Sequence, residues 1–364
     1  MISILDRPLA RCIGSGPDAA RISSVAAASL LLAMTAALSG CGPLTSSYPA
    51  PVPVTAASGT AAGTGSMYRG IPDPVAILGF DPFADYPVDE TFSGDLGRGV
   101  LDRRGTPGDP YVIEASGAVW NDLELSGRYV ILQNGTVRAV GDDGLAAWRC
   151  EHCVIRDFEV AGPQRNVGHG SAVGLGNSSM WLRGSIHDFG DRRYEAPEND
   201  LHGIKTLGQD QWIWEANIYN MAGDSIQIGD ASRGAAQRVY VAGGEFRGNR
   251  ENCIDVKDSE DIVLSGFRCL DLLNPNDEFG VVIHDDAYYV SVYDGYFSNV
   301  NYGIVSSGQV GHIIDGNSIN ARRIGIQLRS TQRMYVANNV IEAGARCIEI
   351  QGNVTGSIQR RCRE

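Results

Sequence analysis

The feature that most constrains the fold is an internal repeat with a period near 22 residues. Seven segments share an aliphatic residue at one position, and three of the six intervals between them are 22 residues long. No stretch between them has the spacing of a long amphipathic helix. The segments are HGIKTLG, DSIQIGD, NCIDVKD, FGVVIHD, YGIVSSG, IGIQLRS and RCIEIQG, and their first aliphatic residues are Ile204, Ile226, Ile254, Val281, Ile304, Ile326 and Ile348.

A second short element recurs about half a period from the first, as in VYVAGGEF and HIIDGNSI. Within a unit, apolar and charged residues alternate: Ile254 and Val256 face one side of a strand, whereas Asp255 and Lys257 face the other. The 45 glycines and the low 20% of charged residues favour turn-rich β structure. A period of this length built from short strands predicts a solenoid, in which each unit stacks on the next.

With these repeats, the chain resembles the right-handed parallel β-helix proteins, the superfamily that includes pectate lyases and related polysaccharide-active enzymes. The resemblance covers residues 111–360 and implies about ten coils. We therefore predict an all-β chain with one parallel β-helix domain over residues 111–364. Residues 68–110 contain scattered aromatic residues, Pro and Gly, and we expect them to form a cap on the end of the solenoid.

The first 40 residues have the features of a lipoprotein export signal. Three arginines precede the apolar run VAAASLLLAMTAAL, which is too short to remain as a transmembrane helix. The run ends in LSGC, which resembles a bacterial lipobox and predicts acylation of Cys41. An ordinary secretory signal with an unrelated cysteine is the alternative.

The residues after Cys41 bear on where the protein resides. Residues 41–67 consist mainly of Ala, Ser, Thr, Gly and Pro, which predicts a flexible tether. Gly42 stands where lipoproteins retained at the inner membrane usually carry Asp. We therefore expect an outer-membrane lipoprotein that faces the periplasm or the cell surface.

The charge of the chain limits its partners. The formal net charge is -13 at pH 7, and no basic stripe offsets it. Such a surface repels the phosphate backbone of nucleic acids, so we expect no nucleic-acid partner. We expect a monomer that binds polysaccharide and contacts the membrane only through its lipid anchor.

Export to an oxidising compartment favours disulfide bonds among the six cysteines beyond Cys41. CEHC at Cys150 to Cys153 has the spacing of a redox or metal motif, and a purely structural pair is the simpler interpretation; the sequence leaves its pairing open. The β-helix resemblance places the other four so that two further bridges become plausible. These bridges are Cys253 to Cys269 and Cys347 to Cys362.

The aligned repeats also define outward columns of side chains. Their ionisable members concentrate in consecutive coils from His202 to Asp286, beside two long loops, DFGDRRYEAPEND and LLNPNDE. Loops inserted next to a polar patch on a rigid rod are typical of a binding groove. The middle outward column is Lys205, Gln227, Asp255, Val282, Val305, Gln327 and Glu349; the next is Leu207, Gly229, Lys257, His284, Ser307, Arg329 and Gln351; the bend before the strands carries His202, Asp224, Asn252 and Phe279.

Polysaccharide lyases of the superfamily cleave uronate chains by β-elimination, which needs a cation at the substrate carboxylate and a base that removes the neighbouring proton. The resemblance therefore implies a lyase on acidic polysaccharide. Lys205, Lys257, His202 and His284 are the candidate catalytic residues. The candidate substrate-binding residues are Asp255, Gln227, Asn252, Arg192, Arg193 and Tyr194, and the candidate Ca²⁺ ligands are Asp224, Glu251 and Glu278.

Three alternatives remain open at this point. GDDG at residues 141–144, VGHGS at 167–171 and GIKT at 203–206 are faintly similar to motifs of polygalacturonase-type hydrolases, although the Asn-Thr-Asp element is missing. A surface lipoprotein that binds or organises an envelope polysaccharide without cleaving it is the second. In the third alternative, the charged columns have no functional role beyond keeping the solenoid soluble and preventing its strands from pairing with other chains.

Overall fold

The protein is described by a computed structural model over residues 67–165, 168–191, 200–230, 232–274, 278–308 and 310–361. These residues belong to one compact unit, Ala61–Glu364. They form one short helix, α1 (Val75–Leu78), and the following strands: β1 (Glu90–Thr91), β2 (Gly94–Arg104), β3 (Tyr111–Glu114), β4 (Ala118–Gln133), β5 (Thr136–Arg138), β6 (Leu145–Arg156), β7 (Glu159–Ala161), β8 (Gly170–Leu175), β9 (Met180–Leu182), β10 (Ser185–His187), β11 (Leu201–Thr206), β12 (Gly208–Trp214), β13 (Asn217–Tyr219), β14 (Ile226–Ile228), β15 (Ala236–Ala242), β16 (Glu245–Arg247), β17 (Ile254–Val256), β18 (Ser259–Ser265), β19 (Arg268–Leu270), β20 (Phe279–Ile283), β21 (Ala287–Tyr293), β22 (Tyr296–Ser307), β23 (Ile313–Asp315), β24 (Ser318–Arg329), β25 (Met334–Ala337), β26 (Val340–Ala343), β27 (Arg346–Gln351) and β28 (Gly356–Ile358).

The strands pair in parallel into three stacks that run along one solenoid. The fold is a right-handed parallel β-helix, which confirms the prediction of an all-β solenoid. The first stack carries the polar columns and has eleven rungs in its described part, close to the expected number of coils. These rungs lie in β2, β4, β6, β8, β11, β14, β17, β20, β22, β24 and β27.

The register of the first stack follows the sequence repeat. Ile254 pairs with Ile226 in the coil before it and with Val281 in the coil after it, and all three are fully buried. Farther around the coil, Phe267 packs between Phe246 and Phe297 inside the solenoid. Burying one such side chain contributes about 1.5 to 3 kcal/mol, so the internal ladders stabilise the coil stacking.

The second stack contains β9, β12, β15, β18, β21, β23 and β25. The segment of residues 67–86, here called the strap, lies along the outer side of this stack. Tyr68 packs edge-on against Trp214 with ring centroids 5.3 Å apart, and Arg69 binds Asp315 at 2.6 Å. Residues 94–104 form the first rung of the solenoid. The structure thus differs from the cap we expected over residues 68–110, because the apolar residues of the strap cover a side of the rod.

The cysteine predictions have different outcomes. Cys253 is bonded to Cys269, as expected, and Cys150 is bonded to Cys153, which answers the question that the sequence left open. Cys347 is disulfide-bonded, but Cys362, its expected partner, lies outside the described residues. Cys41, the signal segment and almost all of the tether also lie outside them. Within the described part, no helix has the length and apolar character needed to cross a membrane.

Candidate functional site

The polar columns lie on the outer face of the first stack, in the predicted register. Lys205 pairs with Gln227, and Gln227 pairs with Asp255. These outward side chains are nevertheless buried, with exposed fractions of 6%, 5% and 3%. An outward position is therefore not a solvated one here.

Asp255 is the centre of a compact group on this face. Lys257 Nζ lies 2.5 Å from its Oδ2, and His284 Nε2 lies 2.9 Å from its Oδ1. The two cationic side chains are partly exposed, at 31% and 41%, whereas the carboxylate beneath them is almost fully buried. One buried acid thus holds two bases at the surface, so that both can face a ligand.

The charge of Asp255 controls the protonation of both neighbours. Burial alone would lower the pKa of Lys257, but Asp255 outweighs it and raises this pKa above its usual value. The hydrogen bond to Asp255 likewise raises the pKa of His284. Lys257, a candidate catalytic residue, is therefore not suited to act as the base, because its counterion keeps the ammonium protonated at neutral pH.

His202 lies in β11, two coils before the strand that carries Asp255. Its Nδ1 is 3.1 Å from Asp224 and its Nε2 is 3.3 Å from Asp200, and its side chain is 5% exposed. Burial would lower the pKa of this imidazole, yet the two carboxylates raise it to about 10. A buried imidazolium with both nitrogens turned to carboxylates cannot accept a substrate proton, so its predicted role as a base is not supported.

The bend forms a ladder of hydrogen bonds from coil to coil. Asn252 donates from its backbone N and its Nδ2 to Asp224 Oδ1, at 3.0 and 2.8 Å, and its own Oδ1 accepts from the backbone N of Phe279. Asn252, predicted to bind substrate, is therefore engaged within the ladder. Beside it, burial and the charges of Asp224 and Asp200 raise the pKa of Glu251 to about 8.

The three carboxylates predicted as Ca²⁺ ligands are not brought together. Glu278 is fully buried and forms an ion pair with Arg322, whereas Asp224 accepts hydrogen bonds from Asn252 and contacts His202. Among the described residues, no group of three or more His, Cys, Asp or Glu side chains is placed to hold a metal ion. This ligand set is corrected, because each acid has a cationic or amide partner; a Ca²⁺ requirement stays a prediction.

Lys205 belongs to a different contact. Its Nζ lies 2.5 Å from Asp230 Oδ2, which is in the turn after the next rung. Burial opposes ionisation of Asp230, but the hydrogen bond from Lys205 lowers its pKa. Lys205 therefore supports a turn and is not directed at Asp255. Arg192, Arg193 and Tyr194, the remaining predicted contacts, lie outside the described residues.

A second polar group, near the start of the solenoid, includes residues that the sequence analysis missed. Asp122 and Arg98 line a cavity of about 220 Å³ together with Asp142 and Asp143 of the GDDG segment. Burial raises the pKa of Asp122 and of Asp143, and the charge of Asp142 adds to both shifts. The position of Asp122 just before the Leu123 rung is the signal that could have revealed it.

The known proteins to which this chain is similar are solved structures. No protein-family model matches the sequence, and no curated protein matches it. Solved structures similar to this chain include a mannuronic acid-specific family 6 polysaccharide lyase from human gut microbiota, with 15% identity, a TM-score of 0.49 and coverage of 72% of this chain and 71% of that one. Another is an alginate lyase from Paenibacillus sp., with 17% identity, a TM-score of 0.43 and coverage of 72% and 89%.

A third similar structure is the A-module of the Azotobacter vinelandii mannuronan C-5 epimerase AlgE4, with 15% identity, a TM-score of 0.41 and coverage of 73% of this chain and 91% of that module. At such identities the likeness concerns the course of the backbone and not the side chains. The chemistry of the site therefore has to be inferred from the residues of this chain.

Proposed function

We propose that this protein is a carbohydrate-active enzyme, a lyase that cleaves an acidic polysaccharide by β-elimination. The observation that carries the proposal is the buried carboxylate of Asp255 with Lys257 and His284 held over it at 2.5 and 2.9 Å. Two adjacent, partly exposed cationic groups on an open face suit a substrate that carries one carboxylate per sugar unit.

The two groups have different roles in this proposal. The ammonium of Lys257 binds the uronate carboxylate and neutralises it, which makes the neighbouring C–H more acidic. His284, in its neutral form, removes that proton; the electron pair forms a C=C bond as the C–O bond to the leaving sugar breaks. The resulting imidazolium then donates the same proton to the oxygen of the leaving sugar. His284 is neutral again at the end of each cycle.

His202 acts as a positioning residue in this scheme. Its imidazolium, between Asp200 and Asp224, offsets the negative charge behind Asp255 and keeps the acidic cluster compact. Without that charge, the neighbouring carboxylates would repel one another and the anionic substrate.

The direct test is to incubate the mature domain with a panel of uronic-acid polymers and to follow the ultraviolet absorbance of the unsaturated product, with Ca²⁺ and with a chelator. We expect absorbance to rise with at least one polymer. The rate should increase with pH while His284 loses its proton, in a range above 6.5 because Asp255 raises its pKa. A rate that falls through this range would rule out His284 as the base.

Hydrolysis is the second candidate, and it rests on the cavity lined by Asp122, Asp142 and Asp143. Glycoside hydrolysis requires one protonated carboxyl group as the acid and one ionised carboxylate as the base or nucleophile. The raised pKa values of Asp122 and Asp143 favour a protonated carboxyl group, and Asp142 is a third carboxylate beside them. New reducing ends without unsaturated product, lost in Asp143→Asn and kept in Lys257→Ala, would favour it. Binding of polymer without either product would instead indicate a non-catalytic polysaccharide-binding protein.

We also propose that the protein is anchored in the outer membrane through a lipid on Cys41, on the basis of the LSGC segment. Labelled fatty acid should enter the wild-type protein and not Cys41→Ala. Unlabelled wild-type protein recovered from the medium would point to ordinary secretion.

A further inference from the structure

A second pocket opens on the same outer face, several coils before Lys257. It has a volume of about 520 Å³, and Trp148, Arg233 and Asp143 line it together with Ser171 and Leu207. Trp148 is 37% exposed, so part of its indole is open to a ligand. Neither residue belongs to the cluster around Asp255.

The backbone makes specific room for the indole of Trp148. A Cβ on Gly174, in the next coil, would lie 2.1 Å from Trp148 Cε2, so only glycine fits beneath the ring. One indole face is thus supported by backbone while the side chain stays partly exposed. Flat aromatic faces fixed in this way are suited to stacking on the apolar face of a ring.

Arg233 is presented by a turn that the fold holds firmly. The turn closes through the backbone hydrogen bond from Gly234 to Asp230, and Lys205 binds the Asp230 carboxylate at 2.5 Å. Among the described residues, no carboxylate forms an ion pair with the Arg233 guanidinium. Its charge nevertheless reaches Asp143 and acts to lower the pKa of that carboxyl group. A guanidinium of this kind matches the geometry of a carboxylate ligand.

Trp148 and the candidate cleavage centre stand in one column. Ala147, Leu175, Thr206, Ile228, Val256 and Ile283 are paired from coil to coil. The residues that follow them are Trp148, Gly176, Leu207, Gly229, Lys257 and His284. Between Trp148 and Lys257 the column therefore carries two glycines and one leucine, and no charged or aromatic side chain; we call this stretch of the column the trough.

The spacing along this trough suits a polymer. Trp148 precedes Lys257 by four coils, which is about 19 Å at about 4.8 Å per coil. The rise of one coil is close to the length of one sugar unit in an extended chain. A polysaccharide lying along the rod would therefore reach from one group to the other with about four units.

We propose that Trp148 and Arg233 form a distal subsite for an acidic sugar unit, in which the indole stacks on the ring and the guanidinium binds the carboxylate. This inference rests on the proposed lyase function, because it extends the same substrate along the same face. It also assigns Lys205 as the positioning residue of the Arg233 turn.

The test measures binding of uronate oligomers from dimers to octamers by calorimetry, in the wild type, Trp148→Ala and Arg233→Ala. Wild-type affinity should increase with length until the oligomer spans the trough. Each variant should bind long oligomers about tenfold more weakly, as expected for truncated Trp and Arg anchors, and dimers within about twofold of the wild type. Trp148→Phe should retain most of the affinity, and Lys205→Ala should follow Arg233→Ala.

Tyr335→Ala and Arg268→Ala, which remove exposed side chains from the other two stacks, are matched controls and should bind all lengths normally. Equal losses at every length, no loss at any length, or equally tight binding of neutral oligomers would overturn the subsite. A length-dependent loss without any cleavage would support the subsite and remove the lyase assignment. Cleavage of the polymer together with unchanged binding in both variants would support the lyase assignment and overturn the subsite.

Discussion

The middle and the late coils share one backbone and one register, yet each buries a histidine in an opposite state. His202, in the middle coils, lies between two carboxylates, and its pKa is raised to about 10. His312, in the late coils, is fully buried, accepts a hydrogen bond from the backbone N of Val290, and has its pKa lowered to about 4 by burial. The comparison shows that depth alone favours the neutral form and that only nearby acids reverse it.

The outer face shows the same contrast. The middle coils carry Asp255 and Lys257 where the late coils carry Val305 and Ser307. Asp255 and Val305 are both buried, at 3% and 1% exposed. The scaffold is therefore equally close-packed in both regions, and the side chains alone concentrate charge in one of them.

The largest effect should come from removing the ammonium of Lys257, which is proposed to neutralise the substrate carboxylate. Lys257→Ala is expected to lower the rate of elimination by a factor on the order of 100 or more, because the substrate carboxylate would lose its neutralising charge. Arg329→Ala, which removes an exposed cation of the same column in the late coils, should stay within about twofold. Lyase assays with circular dichroism of both variants check this; equal losses would indicate a general electrostatic effect.

The disulfides allow a second comparison. Cys253 and Cys269 are 16 residues apart, whereas Cys150 and Cys153 are 3 apart. A longer closed loop restricts the unfolded chain more, so losing the first bond should cost about 3 kcal/mol and losing the second about 2 kcal/mol. Urea unfolding of Cys253→Ala and Cys153→Ala measures the difference. The opposite order would indicate that native packing and not loop entropy dominates.

The two histidines should give stability opposite dependences on pH. The pKa of His202 is higher in the folded state than its ordinary 6.5, so its contribution is complete below pH 6.5 and is lost as pH rises through about 10. The pKa of His312 is lower in the folded state, so its contribution is complete above pH 6.5 and is lost as pH falls towards about 4.

Difference profiles isolate these two contributions. The unfolding free energy of the wild type minus that of His202→Gln should decrease as pH rises from 6.5 to about 10. The corresponding difference for His312→Gln should decrease as pH falls from 6.5 to about 4. Parallel profiles for the two variants would contradict the distinction between the two regions.

The smallest effect is expected at the strap, which contacts both regions. Tyr68 donates to Glu215 beside the middle coils, and Arg69 binds Asp315 beside the late coils and lies over the ring of Tyr293. Because Arg69 is about half exposed, Arg69→Ala should cost less than about 1 kcal/mol. Thermal unfolding of Arg69→Ala beside Tyr68→Phe checks this; a loss of several kcal/mol would make the strap an integral part of the core.

The repeat was sufficient to predict the solenoid and its register, because the period and the alternation of apolar residues specify which strands pair. The Cys253–Cys269 bond was expected from the resemblance to β-helix proteins, and the structure confirms it. The repeat also placed His284 on the coil next to the one that carries Asp255 and Lys257. The path of the strap was missed, since scattered apolar residues do not reveal which surface they cover. Asp122 was missed because its one signal, the position just before the Leu123 rung, is not repeated in the other coils.

The sequence by itself determined which side chains share a column, since the period of the repeat translates directly into coil positions. Only the tertiary structure decided which of them are ionised and accessible: that Asp255 is buried, that His202 lies between two acids, and that Lys205 supports a turn. Burial and ionisation depend on distances in space between groups far apart in the chain, and the order of residues does not encode those distances in any local pattern.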